Sequence, residues 1–241
     1  MSTSLRVFLW SGPRNVSTAL MYSFAQRSDS LVVDEPLYAH YLRVSGAEHP
    51  AREVVIASQN SNGIAVMKEL TLSPYSKQLL FVKHMAHHLV DLDLQLLLPV
   101  KNILLIRHPG EVLNSFSKII DQPILRDIGI KRQAEVYQWL EEQGEAPMVL
   151  DGNEVLKDPS TVLNGVCQEL GIPFETNMLQ WKAGPRPEDG IWAPHWYSNV
   201  HRSTGFQAYQ PKSRTVRPDL EAVLKAAMPH YEFLFSKSIK A

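Results

Sequence analysis

The sequence has 241 residues, 44% of them hydrophobic and 20% charged, with a formal net charge of −1. That is enough chain to bury a full core in one α/β domain, and the near-neutral balance leaves no electrostatic footprint for nucleic acid or an anionic membrane surface. The lone cysteine, Cys167, excludes an internal disulfide framework, and no apolar run approaches the ~20 residues that span a bilayer.

In chain order, RVFLW (6–10) reads as a buried strand and TALMYSFAQR (18–27) as a helix. SLVVDEP (30–36) predicts a second strand ended by Pro36, and LLFVKH (79–84) a third, followed by a helix over HHLVDLDLQLLL. KNILLIRHP (101–109) gives the clearest strand, running into a charged tip, with helical GEVLNSFSKII after it. APMVLDG (146–152) reads as a last strand, and DPSTVLNGVCQELG (158–171) as a helix with an Asp/Ser start and Gly171 as its stop. Cys167 falls at an apolar position of that helix and is expected to be a buried structural thiol. Residues 45–75 carry no strong periodicity, and 181–212 read as a long loop rich in Pro, Gly, Trp and Tyr. Loops of that length in a compact domain usually bind or cover something. The opening MSTSLRVFLWSG breaks too soon for a secretory signal, so the expected compartment is the cytoplasm.

Short apolar strands alternating with helices predict a parallel sheet covered on both faces. Ligands of such sheets bind beyond the carboxyl ends of the strands. The polar residues that follow the apolar runs are Arg14, Glu35, Lys83 with His84, and Arg107.

The stretch SGPRNVST (11–18) joins a strand to a helix through a tight turn. Unpaired N–H groups and the helix dipole make such a junction an anion site; the plainer role for Ser17 is a helix N-cap. Against the phosphate-loop pattern G-x-x-x-x-G-K-[ST], Gly12 and Thr18 fit, but Val16 and Ser17 replace the second Gly and the Lys. The strand of NILLIRHP closes with Arg107 rather than a metal-binding Asp. A phosphate-like group held without Mg²⁺ is expected, which disfavours a nucleotide kinase or hydrolase.

SGPRNVSTAL and ILLIRHPGEVLNS together resemble the two nucleotide signatures of sulfotransferases that use 3′-phosphoadenosine 5′-phosphosulfate (PAPS). The resemblance implies a three-layer α/β domain with a central parallel sheet, the P-loop-like sulfotransferase fold, over residues 1–241 as a single domain. It implies that Gly12, Arg14, Asn15, Val16, Ser17 and Thr18 grip the 5′-phosphosulfate, and that Arg107 and Ser115, eight residues apart, bind the 3′-phosphate. MVLDGNEVLKDPSTVLNGVCQELGIPFE is similar to the family's strand-loop-helix with its closing turn, and VHRSTGF to a late basic loop, which implies cofactor contacts from Arg202, Thr204 and Gly205. Ala19 stands where cytosolic members carry an adenine-stacking Trp, leaving Phe206 or Trp192 for that task.

The implied reaction moves a sulfuryl group from PAPS to the hydroxyl of a small-molecule acceptor, without metal. Arg14 is expected to neutralise the leaving phosphate. The acceptor proton needs a base, for which Glu35, in a Glu-Pro setting that some members use, and His84 stay as alternatives. A cap for the helix starting near Leu37 is the plainer role for Glu35. Lys83 matches a catalytic Lys of cytosolic members, while His84 stands one residue before their His position, held here by Met85. His84, His87 and His88 are expected as partly exposed helix-start residues rather than zinc ligands. Trp192, Trp196, Tyr197 and Phe206 either line an acceptor pocket or pack a long loop down, and residues 37–75 and 181–212 are expected to shape that pocket. A nucleotide-binding module without activity is the non-enzyme alternative.

Overall fold

Strand β1 (Leu5–Ser11) runs through the middle of the molecule with Val7, Phe8, Leu9 and Trp10 buried, as a strand covered on both faces requires. The computed structural model describes residues 5–240. Alongside β1 lie β2 (Ser30–Asp34), β3 (Leu79–Met85), β4 (Lys101–Ile106) and β5 (Met148–Asp151). They form a five-stranded sheet in the order β2-β3-β1-β4-β5, with every pairing parallel. The chain leaves β1 for one edge, returns to β3, then crosses β1 to reach β4. That reversal opens a crevice at the carboxyl end of β1.

The helices are α1 (Ser17–Ala25), α2 (Tyr38–Ser45), α3 (Arg52–Ser58), α4 (Gly63–Leu72), α5 (Pro109–Phe116), α6 (Leu125–Ile128) and α7 (Ile130–Glu142). After β5 come α8 (Gly152–Lys157), α9 (Pro159–Leu170), α10 (Ala193–Trp196), α11 (Ser198–His201) and α12 (Glu221–Ser236). Strand side chains alternate between faces, and the core divides accordingly. Phe8, Trp10, Leu80, Val82, Leu104 and Ile106 pack on one face with Leu113 of α5, Val136 and Leu140 of α7, and Leu234 of α12. Val7, Leu9, Phe81, Ile103 and Leu105 pack on the other with Leu20 and Phe24 of α1 and Val162, Val166 and the buried Cys167 of α9. The start and stop of α9 are as its sequence predicts: Asp158 accepts from Thr161 N at 2.9 Å, and Gly171 closes the helix at a φ of 69°.

The helix expected over HHLVDLDLQLLL does not form. Two 3₁₀ turns, Ala86–His88 and Leu94–Leu97, replace it. Asp91 is left-handed at a φ of 48°, and the Asp93 side chain accepts from Gln95 N at 2.9 Å, so local polar bonds interrupt the backbone ladder. Residues 45–75 fold largely into α3 and α4, while 181–212 remain mostly irregular around the single turns α10 and α11. Among the described residues no helix is long and apolar enough to cross a membrane.

Candidate active site

Loop 12–16 joins β1 to α1. Gly12 passes so close to the end of α6 that a Cβ would lie 2.5 Å from the Ile128 carbonyl oxygen. Its glycine is therefore a packing requirement, and Gly12 does not line the main cavity. Asn15 pins the loop to the sheet: Nδ2 donates to Leu105 O at 3.2 Å, and Oδ1 accepts from Val16 N at 2.9 Å. The plainer N-cap role for Ser17 is not taken up. Val16 is the cap residue, and no side chain caps the helix. The first-turn N–H groups of α1 consequently lack intrahelical acceptors, and Ser17 and Thr18 face a cavity of about 290 Å³.

One end of that cavity is cationic. Arg14, Arg107, Ser115 and Lys212 line it together. Arg14 adopts a φ of 57°, unusual for a side chain with a Cβ, and its Nε donates to Ser115 Oγ at 3.0 Å. Ser115 thus faces the same side of the site as Arg107, as the two-turn spacing predicts. Arg107, at the tip of β4, is 6% exposed; its Nε donates to Glu111 Oε2 at 3.0 Å while its Nη2 is buried with no partner. Burial, then the neighbouring Arg107, pulls the pKa of Arg14 below its usual value. Burial also lowers Lys212, and Arg107 and Arg14 act in the same direction. A bound anion would oppose both of these shifts.

Beside this cluster stands a set of buried ionisable side chains. Glu35 follows β2 at a φ of 40°, continues the sheet ladder through Glu35 N→Lys83 O (2.8 Å), and is 7% exposed. It does not cap α2, whose first turn carries no side-chain cap bond. Lys83 Nζ donates to Asp34 Oδ1 (2.9 Å), Glu35 Oε1 (2.5 Å) and Tyr197 OH (2.6 Å). Tyr197 OH in turn donates to Asp34 Oδ2 at 2.7 Å and accepts from Trp192 Nε1 at 3.1 Å. An ammonium has three protons, and those of Lys83 are all spent here. Lys83 lines the cavity together with Glu35 and Tyr197. Burial raises the Glu35 pKa; Lys83 opposes that shift and Asp34 adds to it. Lys83 is held above its usual value by Asp34 and Glu35 against the effect of burial.

His84, the alternative to Glu35, lies away from the cavity. Lys83 and His84 are consecutive on β3, so their side chains leave opposite faces. His84 is fully buried, stacked on Trp10 at 4.1 Å between ring centroids, absent from the cavity wall, and pushed by burial to a pKa of about 3. His87 and His88 do line the cavity, but they are buried rather than partly exposed; His88 lies stacked on Tyr38 and Tyr41. Burial brings His87 down to about 3, leaving a neutral imidazole. Among the described residues no group of three or more His, Cys, Asp or Glu is placed to hold a metal ion.

Of the three late-loop residues expected at the site, one lines the cavity and two do not. Arg202 is exposed, donates to Asn199 Oδ1 at 2.7 Å and is outside the cavity, as is Thr204. Gly205 and Phe206 line it, as does the cation Lys212. Of the aromatic residues, Trp196, Tyr197 and Phe206 reach the cavity, whereas Trp192 is buried behind Tyr197. Tyr38 and His49 are the wall residues that segment 37–75 contributes; Tyr38 OH and His49 Nδ1 are 2.8 Å apart. Lys212 and Tyr197 carry no short motif. Their only sequence signal is a position inside a long loop.

Comparison with known proteins bears on this geometry. The profile of the sulfotransferase-domain family matches residues 5–238. Two Arabidopsis thaliana proteins, branched-chain-amino-acid aminotransferase-like proteins 1 and 2, are 42% and 38% identical over 94% and 95% of this chain. The chain spans only 41% of the length of either relative. Among solved structures, the sulfotransferase domain of the curacin biosynthetic pathway aligns with a TM-score of 0.55 at 18% identity, covering 95% of this chain and 99% of its own. A mouse sulfotransferase complexed with PAP aligns at 0.50 and 12% identity, over 97% of this chain and 84% of its own. These likenesses show the shared P-loop-like fold, and with the profile match they establish that the chain belongs to the sulfotransferase-domain family.

Proposed function

We propose that this protein transfers a sulfuryl group from PAPS to a hydroxyl of a small-molecule acceptor. The observation that carries the reading is the convergence of Arg14, Arg107, Ser115 and Lys212 on one cavity wall, with the buried Arg107 Nη2 lacking any partner. A buried guanidinium proton left unsatisfied is costly, and a phosphate is the natural complement of paired guanidinium bonds. The donor set fits a doubly phosphorylated nucleotide. Arg107, Ser115 and Lys212 would hold its 3′-phosphate. The open first turn of α1 with Ser17 and Thr18 would hold the 5′-phosphosulfate, with Phe206 as the aromatic wall for adenine.

Each residue then has a task in an in-line displacement. Glu35, raised in pKa by burial, accepts the proton as the acceptor O–H bond breaks. The acceptor oxygen forms the new S–O bond, and the bond from sulfur to the 5′-phosphate oxygen breaks with its electron pair leaving on that oxygen. Arg14 and the α1 amide groups stabilise the charge gathering there. Lys83 and Tyr197 hold Glu35 in place throughout. A cytoplasmic setting completes the proposal.

The test is transfer of label from ³⁵S-PAPS to a broad panel of alcohols and phenols, with Glu35→Gln as control. The wild type is expected to label at least one acceptor, and Glu35→Gln to retain affinity for adenosine 3′,5′-bisphosphate while losing transfer. A fully active Glu35→Gln removes the base assignment. Bisphosphate binding without transfer to any acceptor would leave a nucleotide-binding module.

A further inference from the structure

We infer that Glu111 is a positioning residue of the cofactor site, a buried carboxylate that both aims Arg107 and docks the loop carrying Lys212. The inference rests on the proposed role of Arg107 as a 3′-phosphate ligand. Glu111 sits in the first turn of α5, four residues after Arg107, and is 3% exposed. Its two oxygens divide their work. Oε2 accepts from Arg107 Nε at 3.0 Å; Oε1 accepts from Asn153 Nδ2 at 3.0 Å and from Arg214 Nε at 3.3 Å.

The first bond sets the plane of the guanidinium. An Arg–carboxylate pair often closes as a two-bond fork, which here would consume an Nη group. Instead Asn153 and Arg214 occupy the second carboxylate oxygen, and Arg107 Nη2 stays buried and unpartnered. Glu111 thus fixes Arg107 by its rear edge and leaves the fork for a ligand.

The second set of bonds docks a loop. Arg214 reaches Glu111 from the segment whose main chain lies along α5. Asn114 Nδ2 donates to Ser213 O at 3.0 Å and Thr215 O at 2.9 Å, on either side of Arg214. Gly110 approaches the Arg214 carbonyl so closely that a Cβ would have no room. Lys212 lies immediately before this docked segment and lines the same cavity as Arg14 and Arg107. One carboxylate therefore governs two of the cations at the anion site.

Electrostatics alone argues against a carboxylate here. Although burial acts to raise its pKa, the hydrogen bond and charge of Arg107, with Asn153 and Arg214, hold Glu111 below its usual value, so it is ionised at neutral pH. A negative charge behind the phosphate ligand weakens the pull on an anion. If charge were what mattered, Glu111→Gln would bind bisphosphate more tightly. If position matters, it binds more weakly. The sign decides.

The experiment is calorimetric titration of the full chain, wild type and Glu111→Gln, with adenosine 3′,5′-bisphosphate and with adenosine 5′-monophosphate, alongside melting curves. We expect Glu111→Gln to weaken the bisphosphate by about ten- to a hundredfold while the monophosphate is unchanged, collapsing the preference for the 3′-phosphate. Equal or tighter bisphosphate binding overturns the inference, as does an equal loss for both ligands, which marks a general scaffold defect. A wild type with no preference for the bisphosphate refutes instead the reading of Arg107. Should Glu111→Gln fail to fold, Asn153→Ala and Arg214→Ala carry the test. Each removes one donor to Glu111 and is expected to weaken the bisphosphate selectively, by about three- to tenfold; unchanged affinity in both overturns the inference.

Discussion

Replacing Lys83 by methionine removes a buried ammonium and keeps most of its stem. In the native protein the side chains of Lys83, Asp34 and Glu35 are 2%, 1% and 9% exposed, and the three form one ion cluster. Breaking such a buried pair by deleting one partner costs about 3–5 kcal/mol. At roughly 3 °C per kcal/mol for a chain of this size, the melting temperature should fall by about 10 °C at pH 7. The loss must depend on pH. Without the ammonium, two buried carboxylates face each other, and one takes up a proton when the chain folds. A folded pKa raised above the unfolded value adds stability that is fully present below the unfolded pKa of about 4 and is lost as pH rises through the folded one. The deficit of Lys83→Met relative to wild type should therefore be larger at about pH 7 than at about pH 5. Thermal unfolding followed by circular dichroism at both values measures it. A shift below about 3 °C at neutral pH, or the same shift at both, refutes the claim that Lys83 is what keeps Asp34 and Glu35 together.

Three further outcomes are expected. Arg107→Ala should abolish retention on immobilised adenosine 3′,5′-bisphosphate, because it removes the buried unpartnered fork; unchanged retention contradicts the anion site. Burial and Asp34 raise the Glu35 pKa, so the transfer rate at saturating substrates should fall as pH drops through a single limb lying above the ordinary carboxylate range. A limb at the ordinary value, or none, excludes Glu35 as the base. Gly110→Ala should cost about 1–3 kcal/mol by overpacking against the Arg214 carbonyl and weaken bisphosphate binding as the loop lifts, read by denaturant melts and calorimetry on the same sample.

The sheet was legible because its strands are buried on both faces, so Val7 to Trp10 and Ile103 to Ile106 read as unbroken apolar runs. Arg14, Ser17, Thr18, Arg107 and Ser115 were legible for a related reason. They line the cavity from the loop or the helix that follows each run, and strand ends are where such a fold keeps its ligand. His84 shows the opposite case. Its neighbour Lys83 reaches the site, and alternation along a strand then sends His84 to the other face; the period-2 rule applied to LLFVKH would have removed it. Helix α3 escaped because it buries Val55 alone, too little for an apolar stripe. Helix α12 carries Pro229 in its interior, which reads as a break although the helix continues through it. Tyr197 and Lys212 reach the cavity through tertiary placement of a loop, which no local spacing encodes.

Two positions in this site pay a conformational penalty. Arg14 and Glu35 both sit at left-handed φ, where a side chain with a Cβ costs of order 1 kcal/mol or more. Glycine would relieve that cost at either place while deleting the guanidinium or the carboxylate. A library sorted for heat tolerance alone should enrich glycine at residue 14 but not at residue 35, where losing the carboxylate would leave Lys83 short of a buried partner. Laboratory improvement of this scaffold therefore has to begin elsewhere in the chain, with the codon of residue 14 held fixed.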